Sequence, residues 1–172
     1  MSDKKKIKSD HTFNLETIKP QAVCTGRGTR TRVNKNNFSL LKGMAFYLLR
    51  IDIECVREPH WHPNAAELDY VISGRTLMTI FSPGDKVDTF EVGTNEIVFI
   101  PPGYFHYIEN LDPNEDMQFA VFFNDERPED IGISGGLGAY SNDGLGSLFG
   151  VETKVLNSLP KYQEDFFVVA GG

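Results

Sequence analysis

The sequence predicts an all-β fold, an antiparallel β-sandwich or barrel that ends in short C-terminal helices. Between Met44 and Phe123, short segments of alternating or continuous apolar residues follow one another, and glycine and proline turns separate them. After Ser141 the apolar residues recur at helical spacing instead. The 172 residues contain no internal repeat, so we expect one domain with one core.

The composition of the chain and of its termini predicts the bounds of the domain, the partners it excludes and its cellular compartment. Residues 1–10 are expected to be a mobile polar tail, and residues 11–172 to be the domain. The formal net charge of −7 argues against nucleic acid or an anionic membrane as a partner. The charged start of the chain leads into no apolar segment, and no apolar run approaches the ~20 residues of a membrane span. We therefore expect a cytoplasmic protein in which Cys24 and Cys55 remain reduced thiols.

The predicted elements before the tail are an extended lead-in, a loop and a series of strands. Residues 11–25 form the lead-in, and the glycine-rich basic stretch 26–32 is interpreted as a loop that leads into a strand. Its Gly-x-Gly would suit phosphate only between a strand and a helix, and the residues that follow are poor helix formers. We expect the aromatic side chains of Tyr70 and Phe99 to lie in the core. Candidate strands lie at 45–54, 68–72, 76–81, 89–92, 96–100 and 118–123.

The C-terminal region changes period. Helical spacing links Leu145, Leu148, Phe149, Val151, Val155 and Leu159. This predicts two short helices within about 141–160, with Ser141 or Asn142 as the first cap and Pro160 as the stop of the second. Glycine weakens them, so they need a surface to pack on, either a neighbouring subunit or the domain's own barrel. Residues 166–169 predict a final strand.

Three of the four histidines lie in two short segments. His60 and His62 flank Trp61, and Glu67 follows five residues after His62. Side chains alternate along a strand, so the two histidines point the same way. Alone, such a pair is equally well explained as a surface or core pair. With Glu67, and with His106 on a segment that can fold back beside them, three imidazoles and a carboxylate can converge on one cation, and we predict a metal site.

The segment around His106 is expected to begin with a turn. Pro102 and Gly103 suit the centre of a type II turn, because Gly103 can adopt positive φ. The turn would bring His106 to the start of a strand on which Ile108 and Asn110 share its face. We expect Asn110 to hydrogen-bond either the metal ligands, as a residue of their second shell, or a turn.

Residues 60–74, H-W-H-P-N-A-A-E-L-D-Y-V-I-S-G, resemble the first motif of the cupins, and residues 101–110, P-P-G-Y-F-H-Y-I-E-N, resemble the second. The interval from Gly93 to Pro101 is slightly longer than usual. The amino-acid sequence around the two motifs is most similar to the germin and oxalate decarboxylase branch. The resemblance implies a jelly-roll barrel and, through the C-terminal helices, a homo-oligomer such as a trimer or a hexamer.

The ligand types suit several divalent metals. Zinc usually closes at four ligands, whereas a set that leaves positions for substrate suits octahedral manganese or iron better. The resemblance implies Mn(II). Because manganese binds weakest in the first-row order, Fe(II), Ni(II) and Zn(II) stay open.

Arg57, three residues before His60, offers paired donors that fit a carboxylate. The alternative is a surface arginine paired with Glu58 or Glu54. In oxalate-active relatives an arginine at this position binds substrate, so the resemblance implies an oxalate decarboxylase-like or oxidase-like enzyme acting on oxalate or a similar small carboxylic acid.

Decarboxylation also needs a proton donor, which the relatives carry on a mobile loop after the second motif. Here Glu126, Glu129 and Asp130 are the candidates, although this loop departs from the family's lid sequence. Two other functions remain open. One is an iron-dependent dioxygenase, which shares the ligands, and the other is a non-catalytic protein of the stress or storage type that binds a metal or a small acid.

Overall fold

The computed structural model describes residues 9–22, 27–159 and 168–170. Most of the predicted mobile tail, Cys24, Pro160, Phe166 and Phe167 lie outside the described residues. None of the helices in the described ranges has the length and apolar character that crossing a membrane requires.

The described residues form two antiparallel sheets packed as a sandwich, which confirms the predicted all-β fold. The strands are β1 (Gln21–Ala22), β2 (Gly28–Val33), β3 (Ala45–Ile51), β4 (Cys55–Trp61), β5 (Glu67–Ser73), β6 (Arg75–Ser82), β7 (Lys86–Gly93), β8 (Ile97–Ile100), β9 (Phe105–Asn110), β10 (Met117–Phe123), β11 (Ile131–Gly132) and β12 (Val168–Ala170). The first sheet has the order β1-β2-β3-β10-β5-β8. The second has the order β11-β4-β9-β6-β7, and β12 pairs with β4.

The core lies between the sheets, where alternate residues of each strand point inward. Apolar side chains that are at most 1% exposed include those of Ile51, Val71, Met78, Ile108, Met117 and Phe119. Cys55 is a buried free thiol, as predicted, and burial raises its pKa. The prediction for two aromatic residues was wrong: Tyr70 and Phe99 are 36% and 60% exposed. Both lie on the outer face of the first sheet, because their parity on β5 and β8 is opposite to that of the core residues.

The basic stretch 26–32 was interpreted as a loop, but the structure has a strand from Gly28. β2 pairs with β3 along its whole length. A Cβ atom at Gly28 would lie 2.5 Å from the backbone oxygen of Arg50, so the close approach of the two strands requires glycine there. The alternation was hidden because Arg30, which points inward, is charged and yet 3% exposed.

A bulge in β4 brings two functional side chains to one face. Arg57 pairs with Ile108 and His60 pairs with His106, so β4 has one residue more than β9 between these pairs. In a regular strand, residues 57 and 60 would point to opposite faces. The bulge, next to Pro59, turns both side chains into the interior, where each is at most 3% exposed.

The turn before β9 has the predicted form. Gly103 has a φ of 76°, and the backbone nitrogen of Tyr104 donates to the oxygen of Pro101 at 3.2 Å, as in a type II turn. The nitrogen of Gly103 also donates to the oxygen of His62 at 2.8 Å, which ties the turn to the first ligand segment.

Three short helices follow the last long strand: α1 (Ile133–Gly138), α2 (Asn142–Phe149) and α3 (Thr153–Leu156). The hydroxyl of Ser141 caps α2 by accepting from the nitrogen of Gly144, as predicted. Helix α1 was not predicted, since half of its residues are glycine.

Candidate metal centre

Both sheets contribute to one buried cluster of possible ligands. His60 and His106 face each other on β4 and β9 of the second sheet, His62 follows β4, and Glu67 begins β5 of the first sheet. The four side chains are at most 5% exposed. Their ligand atoms lie within 4.8 Å of one another, so the structure brings together the four residues that the sequence singles out.

Backbone carbonyls fix the tautomer of all three imidazoles. The Nδ1 atoms lie 2.8 Å from the oxygen of Glu58 for His60, 2.6 Å from that of Glu129 for His62, and 3.0 Å from that of Tyr104 for His106. A carbonyl oxygen only accepts, so each Nδ1 carries the proton and donates it. Each Nε2 atom then presents a lone pair, which is the form that binds a metal.

The atoms that could bind a metal are close together, but they form no hydrogen bonds with one another. Oε2 of Glu67 lies 2.9 Å from Nε2 of His62 and 3.3 Å from Nε2 of His106. In the described residues, neither Oε2 of Glu67 nor Nε2 of His106 has a hydrogen-bond partner, although both are buried. Buried acceptors this close repel one another unless a cation lies between them. The residues therefore fit a divalent metal ion.

The electrostatic setting favours the metal-binding forms of His60 and Glu67, whereas the pKa of His62 is raised, because burial lowers it less than its neighbours, Glu67 first among them, raise it. Burial, and next to it the charge of Arg57, lower the pKa of His60 well below its ordinary value. Burial raises the pKa of Glu67, but His106 and His62 outweigh it and leave this pKa well below its usual value. A neutral imidazole and an ionised carboxylate are what a metal needs.

Asp69 is a buried acid that the sequence analysis missed. It lies two residues after Glu67 on the same face of β5, is 0% exposed, and neither of its carboxyl oxygens has a hydrogen-bond partner among the described residues. Burial, followed by the charge of Glu67, raises its pKa well above the ordinary value, which favours the neutral form. Strand parity with Glu67 was the signal that could have found it.

Arg57 is an interior residue, and the surface alternative was wrong. Its side chain is 2% exposed, and Nη2 lies 2.7 Å from both carboxylate oxygens of Asp130. Nη1 of Arg30, from β2, lies 3.0 Å from Oδ2 of the same acid. Asp130 thus joins two arginines, one from each sheet. Arg30 was not predicted as a site residue, because its strand was interpreted as a loop.

Glu58 supports this arrangement from the bulge. Its Oε2 atom accepts hydrogen bonds from the backbone nitrogen and the hydroxyl of Ser134, at 3.0 and 2.7 Å. Its Oε1 atom lies 3.5 Å from Nη1 of Arg57, as the alternative pairing anticipated. Because Glu58 also accepts from His60 through its backbone, it links α1, Arg57 and a metal ligand.

The three candidate loop acids occupy different places. Asp130 lines the cavity beside the ligands. Glu126 pairs with Lys35 and accepts from the nitrogen of Gly43 at the surface, so it does not reach the site. The side chain of Glu129 is exposed, and this residue serves His62 through its backbone oxygen.

Asn110 bonds turns, not ligands. Its amide nitrogen donates to the backbone oxygens of Ile51, Asp52 and Glu115, at 3.1 to 3.2 Å. Its side-chain oxygen accepts from the nitrogen of Asp112 at 2.9 Å. It lies at the far end of β9 from His106, so the expectation that it belongs to the second shell of the ligands is wrong and the turn alternative is right.

The space beside the ligands is small. The cavity has a volume of about 20 Å³, enough for about one water molecule. Besides Arg57, Asp130 and three of the ligands, its lining consists of Arg30, Tyr47, Leu49, Val121 and Phe123. An apolar wall excludes water and strengthens electrostatic interactions within the cavity.

Residues 13–167 match the cupin family. The chain is 29% identical over 153 residues to an oxalate decarboxylase of Arthroderma benhamiae. The aligned region covers 89% of this chain and 36% of that protein. It is 27% identical over 121 residues to germin-like protein subfamily T member 3 of Arabidopsis thaliana, which covers 68% of this chain and 53% of the relative.

The fold is similar to that of solved oxalate decarboxylases. The structure of the Bacillus subtilis enzyme at pH 4.6 matches with a TM-score of 0.83 and 25% identity, over 92% of this chain and 40% of that chain. Mn(II) centres are described for the Bacillus subtilis enzyme. The chain thus spans roughly two-fifths of the length of the decarboxylases it matches.

Proposed function

Since the chain belongs to the cupin family, we propose that it is a metal-dependent enzyme that acts on oxalate or a similar small carboxylic acid. One observation carries the proposal. The guanidinium of Arg57 and three of the four candidate ligands, His60, His62 and Glu67, line the same cavity. A carboxylate held between a metal and a guanidinium would have both of its oxygens satisfied.

His60, His62, Glu67 and His106 would hold the metal, for which we propose Mn(II). The metal would act as a Lewis acid on a carboxylate oxygen of the substrate. The protein's part is to keep three Nε2 lone pairs and one carboxylate converged in a dry cavity, through the backbone carbonyls that fix the imidazoles.

Arg57 would bind and orient the acid. Its planar guanidinium presents two parallel donors. The side chain is 2% exposed, and such burial strengthens its electrostatic interaction with a carboxylate. Glu58, 3.5 Å from Nη1, limits the directions that the guanidinium can take. The site would thus stabilise the negative charge that moves as the carbon–carbon bond of the substrate weakens.

The destination of the proton distinguishes two reactions. Conversion of the oxalate dianion to formate and one carbon dioxide takes up one proton, which is delivered to carbon. Oxidation by dioxygen gives two carbon dioxide molecules and hydrogen peroxide, and takes up two protons, both of which are delivered to dioxygen. Of the three predicted acids, only Asp130 lines the cavity, and its two arginine contacts are those of an ion pair. A donor role for Glu129 would require this loop to move.

The experiment is to load the purified chain with Mn(II) and to measure formate and hydrogen peroxide from oxalate. Arg57→Lys keeps the charge but loses the fork, and we expect the rate to fall ~10²–10³-fold. Arg75→Lys is the control, because Arg75 forms an exposed pair with Glu91 and should leave the rate unchanged. The absence of both products in the wild type would reject the enzymatic proposal.

A non-catalytic, acid-binding function is the second candidate, and the placement of the three candidate loop acids favours it. Asp130 is ion-paired with two arginines, Glu126 pairs with Lys35 at the surface, and Glu129 is exposed, so none of them is placed as a free proton donor. Binding of oxalate without turnover in calorimetry would support this alternative.

We also propose a homo-oligomer, such as a trimer or a hexamer. Apolar side chains are exposed on the outer face of β5, β8 and β10, at Leu68, Tyr70, Ile72, Ile97, Phe99 and Phe122. The tail adds the exposed Leu148, Phe149 and Val155. Surfaces of this kind favour association.

Sedimentation at micromolar concentration tests the oligomer. Phe99→Lys should dissociate it if the sheet face is the contact. The control Val87→Lys places the same charge on an exposed residue of β7, in the other sheet, and should not. A wild-type protein that sediments only as a monomer would contradict the proposal.

A further inference from the structure

The carboxylate of Asp130 lies between two buried arginines. Arg30 and Arg57 come from opposite sheets, and their side chains are 4% and 2% exposed. Both oxygens of Asp130 lie 2.7 Å from Nη2 of Arg57, and Oδ2 also lies 3.0 Å from Nη1 of Arg30. The acid itself is 6% exposed. Charge-assisted hydrogen bonds of this kind can also hold the carboxylate of a ligand.

The arginine pair is a built site and not a surface coincidence. The guanidinium of Arg30 lies 5.5 Å from the ring centroid of Tyr47, which holds the cation from the apolar wall. Arg30 also donates to the side-chain oxygen of Gln21 at 3.0 Å. Glu58 flanks Arg57. The two cations are therefore positioned by other parts of the fold than Asp130.

Asp130 belongs to the loop that covers the cavity. It immediately precedes β11, a strand of two residues that pairs with Trp61 and His60 at the edge of the second sheet. The preceding residue, Glu129, is also held, because its nitrogen donates to Oδ1 of Asn64 at 2.8 Å and its oxygen accepts from Nδ1 of His62 at 2.6 Å. We therefore expect the side chain of Asp130, and not the whole segment, to move away. The Lys35–Glu126 pair at the other end of the loop is partly exposed and contributes little.

We propose that Arg30 and Arg57 together form a carboxylate-binding site beside the metal ligands, that Asp130 is its internal occupant, and that an incoming carboxylate replaces Asp130. This deepens the proposed function, on which it rests for the identity of the substrate. It assigns Arg30 a role in substrate specificity. It also explains how a cavity for about one water molecule could receive an acid.

The charges favour a diacid as the replacement. With a divalent metal bound, the metal contributes two positive charges and each arginine one, while Glu58, Glu67 and Asp130 each contribute a negative charge. The cavity then carries a formal charge of about +1, which becomes about +2 when Asp130 leaves. A dicarboxylate neutralises the open site, whereas a monocarboxylate only restores the closed balance.

Chemical rescue tests the site without relying on turnover. Asp130→Ala removes only the carboxylate, which formate matches in size and charge, so formate should bind where the carboxylate was. We expect the thermal midpoint of the metal-bound variant to be lowered. It should rise with the logarithm of formate concentration above the dissociation constant, relative to sodium chloride of equal ionic strength.

Two controls test whether the effect of formate is specific to the arginine pair that Asp130 leaves open. The wild type should show no such rise, and Glu91→Ala, which removes a carboxylate from the exposed Arg75, should show none either. Adding Arg30→Gln to Asp130→Ala should weaken the formate response at least ~10-fold, because one of two charge-assisted contacts is lost. An equal response in the wild type and in Asp130→Ala, or none in the variant, would overturn the proposal.

The remaining variants keep the proposal testable if Asp130→Ala does not fold. Asp130→Asn retains the shape but not the charge, and oxalate should bind to it more tightly than to the wild type because the internal competitor is weakened. Weaker or equal binding would overturn the proposal. The outcome is separate from that of the proposed function: rescue by formate in Asp130→Ala that also carries His106→Ala, with no oxalate turnover in the wild type, would reject the enzyme and keep the site.

Discussion

Replacing Gly132 with alanine should destabilise the protein through Glu58. A Cβ atom at Gly132 would lie 2.1 Å from Oε1 of Glu58, 2.5 Å from its Cδ and 2.9 Å from its Oε2, so the carboxylate has to move. The backbone of Gly132 has a φ of −87°, which alanine adopts without strain. The effect is therefore one of contact and not of conformation.

The magnitude follows from what the carboxylate would lose. Its two hydrogen bonds from Ser134, at 3.0 and 2.7 Å, involve a charged acceptor and are worth ~1.5–3 kcal/mol each. Overpacking costs a further ~1–3 kcal/mol, and partial recovery of the bonds offsets part of the sum. We expect the free energy of unfolding to fall by about 2–4 kcal/mol.

Gly136→Ala is the matched control. Gly136 lies in α1, four residues further on, and a Cβ atom there would meet no heavy atom within 4 Å. This substitution should raise stability by about 0.5–1 kcal/mol, because glycine is unfavourable in a helix. In equilibrium urea unfolding, the midpoint of Gly132→Ala should shift down by ~1–2 M. Equal midpoints for the two variants would refute the role assigned to Glu58.

Three further predictions concern other polar groups. Asn110→Ala should lower the free energy of unfolding by about 2–4 kcal/mol in urea titration, since it orphans turn carbonyls, but should leave metal content unchanged; a loss of metal would return Asn110 to the site. Asp69→Asn should be more stable than the wild type at pH 7, and the difference in the free energy of unfolding should shrink toward pH 4. Because the pKa of Asp69 is raised in the folded protein, the wild type loses stability as pH rises through that pKa. A difference that does not depend on pH would contradict the raised pKa. Burial and the neighbouring Glu109 raise the pKa of Tyr107 to about 12, so an absorbance titration should show one phenol that ionises at unusually high pH and that is absent in Tyr107→Phe. The contribution of this group to stability falls as pH rises from 10 toward 12. A wild-type titration in which no phenol ionises at such high pH would refute the shift.

The ligand set was predictable because its parts obey local rules. His60 and His62 share strand parity, and the positive φ of Gly103 turns the chain back so that His106 pairs beside His60. The number of alternating segments was enough for an antiparallel sandwich. These features depend on residues close together in the chain.

The surroundings of the ligands were not predictable in the same way. Arg57 and His60 have opposite parity, and only the bulge in β4, an adjustment between paired strands, brings them to one face. Arg30 is charged, and nothing local shows that Asp130, a hundred residues away, neutralises it inside the fold. Charges that are buried because of distant partners violate the local pattern, and they are found here at the candidate site.

Metal content is the most direct test of the central claim, that His60, His62, Glu67 and His106 hold one ion. The chain is purified, equilibrated with Mn(II), freed of unbound metal and analysed by mass spectrometry. The wild type should carry about one ion per chain, and so should His11→Ala, since His11 is the exposed fourth histidine. His106→Ala should lose affinity at least ~10-fold, because even changes to residues behind the ligands cost that much. Wild-type occupancy in His106→Ala, or a wild type that binds no ion, would contradict the account.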